Sequence, residues 1–150
     1  MPTASIVKIV PEELAQIVES VFETSMQMKV SQGEATWFPN NDRLLAAVTL
    51  SGGWNGAVAV ECDRRQACEF ASRLLSIEAT STYDDLVRDA LCEIANMIGG
   101  NMKCILASGI SLSSPVVQQG CNYGEILEGT VVQQRLTFLS DEGCFWVTVL

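Results

Sequence analysis

Asp89, Glu93 and Asn96 follow one another at intervals of four and three residues, the spacing that brings side chains together on one face of a helix. A carboxylate can grip a cation. A carboxamide can accept a hydrogen bond from water and donate one to it. Neither is a good nucleophile, and an amide cannot act as a base. Such a pair suits a reaction whose electrophile and charge stabilisation come from elsewhere, so that only a water has to be placed. Hydrolysis of a phosphoryl group carried by a partner protein is a reaction of that kind, because its catalysis is mostly positioning and electrostatics.

On a helical wheel, Val87, Leu91, Ile94, Ile98 and Met102 fall in one narrow arc. Asp89, Glu93, Asn96 and Gly100 fall in a second arc, nearly opposite. The first arc predicts a core stripe and the second an outward face. An exposed Asp or Glu alone is ordinary solvation. Asn96 and the Gly99-Gly100 pair are less ordinary, since Asn is a poor helix former and each Gly costs about 1 kcal/mol relative to Ala in a helix interior. Two readings of the glycines stand. Gly99 could be the residue just past the helix end, although apolar periodicity continues through Met102 and Ile105. Alternatively, Gly100 clears room for a second protein to approach Glu93 and Asn96. Lys103 falls on the side of Asn96 and could steer a phosphate, or be simple solvated surface.

The elements that must position these residues can be read from pattern. Pro11-Glu12-Glu13 predicts a helix start, with Leu14, Ile17, Val18, Val21 and Phe22 at helical spacing and an end near Met28. A polar, turn-rich stretch from Ser31 to Arg43 follows, with Thr36-Trp37-Phe38 as a possible short strand. Leu44 to Leu50 and Gly56 to Glu61 predict two strands joined by a hairpin at Ser51 to Gly56. Asp63 caps a predicted helix from Arg64 to about Ser76. Ser81 or Thr82 starts the next, which has Asp84 and Asp85 in its first turn and runs to about Lys103. Ile110 to Gln118 predicts a strand that Pro115 assigns to an edge or bulge. Glu125 to Leu139 gives one or two more. Phe145 to Leu150 closes a hairpin across Asp141 to Gly143. The order predicts an α+β fold in a single domain spanning residues 1–150, with helices gathered on one face of a mostly antiparallel sheet.

Composition narrows the partners. Of 150 residues 48% are hydrophobic, enough for a core without staples, and the net charge of −9 disfavours nucleic acid and anionic membrane as partners. Met1 to Val10 is too short and too polar for a signal peptide, and the longest charge-free stretch, Cys104 to Gly124, lacks the uniform apolar character of a membrane span. The chain has no histidine, and its six cysteines (Cys62, Cys68, Cys92, Cys104, Cys121, Cys144) include no Cys-x-x-Cys pair. A metal site is therefore not expected, and free, mostly buried thiols point to a reducing cytoplasm. Trp37, Trp54 and Trp146 read as core or sheet-face packing, with Trp146 also placed for a seam between subunits.

At the helix motif the sequence resembles the CheC, CheX and FliY phosphatases of bacterial chemotaxis. Their motif is Asp or Ser, three residues, Glu, two residues, Asn. It stands here as Asp89-Ala-Leu-Cys-Glu93-Ile-Ala-Asn96, continuing Met-Ile-Gly-Gly-Asn-Met-Lys103. The likeness is greatest to CheX and runs from Leu44 to about Gly120, taking in the Ser51–Gly56 hairpin and Ser113-Ser114-Pro115. The resemblance implies a CheC-like fold and a phosphorylated response regulator of the CheY type as partner. Glu93 would contact a regulator lysine, and Asn96 would orient the water that attacks the aspartyl phosphate. Asp89, Gly100 and Lys103 would belong to the docking face. Magnesium would belong to the regulator, and the chain would need no cofactor of its own. The resemblance also implies a homodimer made by joining sheets across subunits.

Family members often carry two copies of the motif. Sliding the chain by 74 positions sets Glu19 on Glu93, Ala15 on Asp89 and Phe22 on Asn96. This is either a decayed copy or a chance match between two amphipathic helices. Without the amide, the first helix should not be catalytic.

Two rival functions remain open on the sequence. One is a non-catalytic binding or scaffold module of a two-component or flagellar system, using the same helix face. The other, a small-molecule hydrolase, lacks the usual base and metal ligands.

Overall fold

The computed structural model describes residues 9–34, 43–106, 108–120, 132–141 and 143–150. Helix α1 (Pro11–Met26) begins with proline in its first turn, where a missing N–H is harmless. The Glu13 carboxylate accepts a hydrogen bond from the Val10 N–H at 3.4 Å. The helix stops at Gln27, whose φ of 50° is left-handed. Helix α2 (Arg64–Leu75) starts where Asp63 accepts from the Gln66 N–H at 2.7 Å. Helix α3 (Asp85–Ile105) starts where Asp84 accepts from the Val87 N–H at 3.0 Å. That start lies later than Ser81 or Thr82. The Thr80 hydroxyl accepts from the Thr82 N–H and donates to its carbonyl, so this segment forms a local turn and leaves the cap to Asp84.

The strands are β1 (Ser31–Gln32), β2 (Leu44–Gly52), β3 (Gly56–Cys62), β4 (Ile110–Leu112), β5 (Val116–Gln119), β6 (Gln134–Ser140) and β7 (Gly143–Val149). They make one sheet in the order β1-β6-β7-β3-β2-β4, with β5 also on β2, and every pairing is antiparallel. The β2–β3 hairpin turns where Asn55 Oδ1 accepts from the Gly52 N–H at 3.2 Å. β1 lies at the start of the polar, turn-rich stretch, ahead of the short strand expected at Thr36 to Phe38; it exists through its pairing with Leu139 and Phe138. Residues 36–38 and the first part of the stretch expected after Glu125 lie outside the described residues.

The predicted strand from Ile110 to Gln118 is in fact two. β4 pairs with Leu50 to Gly52 and β5 with Leu44 to Ala47, leaving a bulge at Ser113 to Pro115. The edge position is as Pro115 suggested. Ser113 bridges the gap: its N–H donates to the Thr49 carbonyl and its hydroxyl accepts from the Thr49 N–H, both at 2.9 Å.

Alternation along the strands makes two faces. Ala46, Val48, Leu50, Val58, Val60 and Cys62 join the three helices in one core. Inside it, Phe22 of α1 stacks on Phe145 of β7 at 4.9 Å and meets the edge of Phe70 of α2 at 5.0 Å. The opposite sheet face buries Leu45, Ala47, Ala57, Ala59 and Leu150. It also buries Glu61, which accepts from Arg43 at 3.1 Å and from Thr148 at 3.3 Å. Trp54 is half-buried against the helix-side core, and Trp146 is half-buried under the Arg135 guanidinium, 4.3 Å from its ring centre. The thiols are less buried than expected. Cys62 and Cys68 are buried, but Cys92 and Cys144 are half-buried and Cys104 is exposed.

Candidate functional site

Helix α3 is fixed by its apolar stripe. Val87, Leu91, Ile94, Ile98 and Met102 are all buried. Gly99 is buried as well, and a Cβ there would sit 2.7 Å from Val48 Cγ2. It is therefore a close-approach glycine in mid-helix, and the helix continues to Ile105. The reading that made Gly99 the helix end does not hold.

The opposite face is open. Asp89, Glu93 and Lys103 are exposed, and Asn96 and Gly100 are half-buried. A Cβ on Gly100 would meet nothing within 4 Å. Among the described residues, neither the Glu93 carboxylate nor the Asn96 carboxamide takes part in a hydrogen bond or ion pair. Asp89 accepts from its neighbour Arg88 at 3.4 Å, an exposed contact of little energetic weight.

Asp89, Glu93 and Asn96 form one wall of a groove of about 510 Å³, together with Cys92. Leu112, Ser113, Ser114 and Pro115 of the β4–β5 bulge form the other wall. Gly100 and Lys103 continue the helix face beyond the groove and do not line it. The far wall was not assigned to the site from sequence. The resemblance takes in Ser113-Ser114-Pro115 but gives them no role, and the split pairing of β4 and β5 with β2 brings them opposite α3.

Burial pushes the Cys92 thiol above its usual range, and the Asp89 carboxylate adds to the shift. Cys92 is thus less readily ionised to the nucleophilic thiolate than a free cysteine. Among the described residues, no three His, Cys, Asp or Glu side chains are placed to hold a metal ion, and no helix is long and apolar enough to cross a membrane. What remains is an outward carboxylate and an outward carboxamide, a turn apart, beside an open polar groove.

The first helix does not repeat the arrangement of Asp89, Glu93 and Asn96. Ala15 and Phe22, set on Asp89 and Asn96 by the 74-residue slide, are buried. Phe22 lies in the aromatic core. Those two aligned pairs therefore differ in burial, which favours the chance match, although Met28 and Met102, aligned by the same slide, are both buried.

Comparison with known proteins bears on the fold and the family. No curated protein sequence matches the chain. A Vibrio vulnificus chemotaxis protein CheX superposes with a TM-score of 0.72 at 19% identity, over 93% of each chain. A CheC-like superfamily protein from Shewanella sp. PV-4 gives 0.69 at 18%, over 99% of this chain and 97% of that one. The CheX of a Borrelia burgdorferi CheX–CheY–BeF3–Mg complex gives 0.67 at 21%, over 92% and 94%. These likenesses establish the fold. The family model described as Chemotaxis phosphatase CheX matches residues 44–134, more than half of the chain and all of α3. The chain belongs to the CheX family of chemotaxis phosphatases.

Proposed function

We propose that this chain accelerates hydrolysis of the aspartyl phosphate on a CheY-type response regulator, with α3 as the face that docks. The observation that carries the reading is the outward pairing of Glu93 and Asn96, both without partners among the described residues and both on a groove wall. Glu93 grips the regulator's lysine, fixing the approach. Asn96 enters the regulator's site, where its amide holds the attacking water by accepting and donating hydrogen bonds. The magnesium ion and the phosphoryl group are the regulator's own, and this chain needs no cofactor. Asp89, Gly100 and Lys103 take part in docking. Gly100 keeps the partner's path clear, and Lys103 offers a cation to the phosphate. The Borrelia complex supports a CheY-type partner, since a protein of this fold is joined to CheY there. The protein acts in the cytoplasm, where such regulators are, and as a homodimer joined through its sheets.

The test mixes the chain with a phosphorylated receiver domain and follows loss of phosphate. Wild type should shorten the receiver's phosphate lifetime. Asn96→Ala should keep fold and affinity but lose a factor of about 10²–10³ in rate, by analogy with removal of one preorganised polar donor. An Asn96→Ala protein as fast as wild type would sink the mechanism. Capture of the receiver without faster decay would instead make the chain a binding module using the same face.

A further inference from the structure

We propose that the β4–β5 bulge is a second contact for the phosphorylated partner, with Ser114 touching it and Ser113 positioning Ser114. The inference rests on the docking face argued above and adds the residues on its far side. Ser113 and Ser114 face the same groove as Glu93 and Asn96, from a separate element. A body seated on Glu93 and Asn96 has the bulge beside it, across the groove.

The two serines are used differently. The Ser113 hydroxyl is committed. It accepts from the Thr49 N–H at 2.9 Å and donates to the Ser114 carbonyl at 3.1 Å, while its own N–H reaches the Thr49 carbonyl. In this way it fills the gap between the β4 and β5 pairings, where neither strand bonds to Thr49. Pro115 follows with its φ fixed by the ring and no N–H to offer. The bulge is therefore tied on both sides of Ser114. The Ser114 hydroxyl itself is exposed and has no hydrogen-bond partner among the described residues. A small, uncharged donor and acceptor on a pinned backbone suits contact with a partner's main chain. It complements the opposite wall, whose Asp89 and Glu93 are charged. Support by a rigid neighbouring strand is what holds such a contact in register.

The experiment measures initial dephosphorylation rates against receiver concentration, for full-length proteins whose fold is checked by circular dichroism. Ser114→Ala should raise KM about fivefold, the effect of losing one ordinary hydrogen bond, with kcat kept. Ser114→Trp should obstruct the groove and raise KM well beyond that. Ser113→Ala should raise KM with kcat kept, and Ser113→Thr, which retains the hydroxyl, should recover most of the loss. Asn96→Ala should show the opposite split, with kcat down. An unchanged KM in Ser114→Trp overturns the proposal. A wild-type chain that binds a receiver without accelerating it overturns the hydrolytic reading alone, and the same variants should then raise Kd in the same order; if they do not, the wall has no role.

Discussion

Gly99 and Val48 touch backbone to side chain: a Cβ on Gly99 would lie 2.7 Å from Val48 Cγ2 and 3.4 Å from Leu112 Cδ2. Real Cβ atoms do not come so close to a buried branched side chain, so Gly99→Ala must push α3 off β2. Overpacking of this kind costs about 1–3 kcal/mol, offset by up to about 1 kcal/mol of regained helix propensity. A net loss of about 1–2 kcal/mol should lower Tm by about 3–6 °C for a chain of this size. Calorimetry on the single variant checks it; an unchanged or raised Tm would mean that α3 is free to shift.

Gly100 should behave in the opposite way, although it is the next residue. With nothing within 4 Å of its missing Cβ, Gly100→Ala should gain up to about 1 kcal/mol of helix propensity and raise Tm. Gly100→Arg should also fold, since the side chain projects into open space. It should nevertheless weaken receiver binding by crowding the approach to Asn96. Thermal melts and a binding titration of the two variants separate the effects, and Gly100→Arg with wild-type Kd would remove Gly100 from the docking face.

Glu61 is the buried acceptor of the far sheet face, with no exposure of its side chain against 16% for Arg43. Glu61→Ala removes the carboxylate and leaves the largely buried Arg43 guanidinium and Thr148 hydroxyl without it. Loss of one partner of a buried ion pair typically costs about 3–5 kcal/mol. Urea unfolding should show a midpoint shifted down by that order. The groove lies on the other side of the sheet, so turnover at low temperature should survive. A midpoint within a few tenths of a molar of wild type would show that the pair is not stabilising.

Stability should fall on the alkaline side. Burial pushes the Cys62 thiol well above its usual range, with the Asp63 carboxylate adding to it. The unfolded chain ionises this thiol near pH 8.5, while the folded chain keeps it protonated. Above that pH the unfolded state holds fewer protons than the folded one, so unfolding becomes easier as pH rises, by up to about 1.4 kcal/mol per unit from this group. Below about pH 8 the effect vanishes. Denaturant midpoints from pH 7 to 10 should decline less steeply in Cys62→Ala than in wild type; equal slopes would assign the decline to other groups.

The helix that carries Glu93 and Asn96 could be read from sequence because one repeat of 3.6 residues separates its core stripe from its outward face, and both consist of neighbours in the chain. The hairpin at Ser51 to Gly56 was legible for the same local reason. The far wall was not. Ser113 and Ser114 line the groove because β4 and β5 both pair with β2, a relation across some sixty residues. β1 was hidden likewise, since two polar residues become a strand only through β6. The start of α3 was misplaced because Ser81, Thr82 and Asp84 are all acceptable caps, and the turn made by Thr80 decided between them.

Because Glu93 and Asn96 stand on the outside of a rod, the described residues build no chamber around them in which to seclude a reactant from bulk water. Any dry enclosure around the reacting phosphorus has to be completed by the molecule that carries it. Selectivity then follows from shape. A free acyl phosphate such as acetyl phosphate brings no enclosure and should decay in the presence of this protein as it does in buffer.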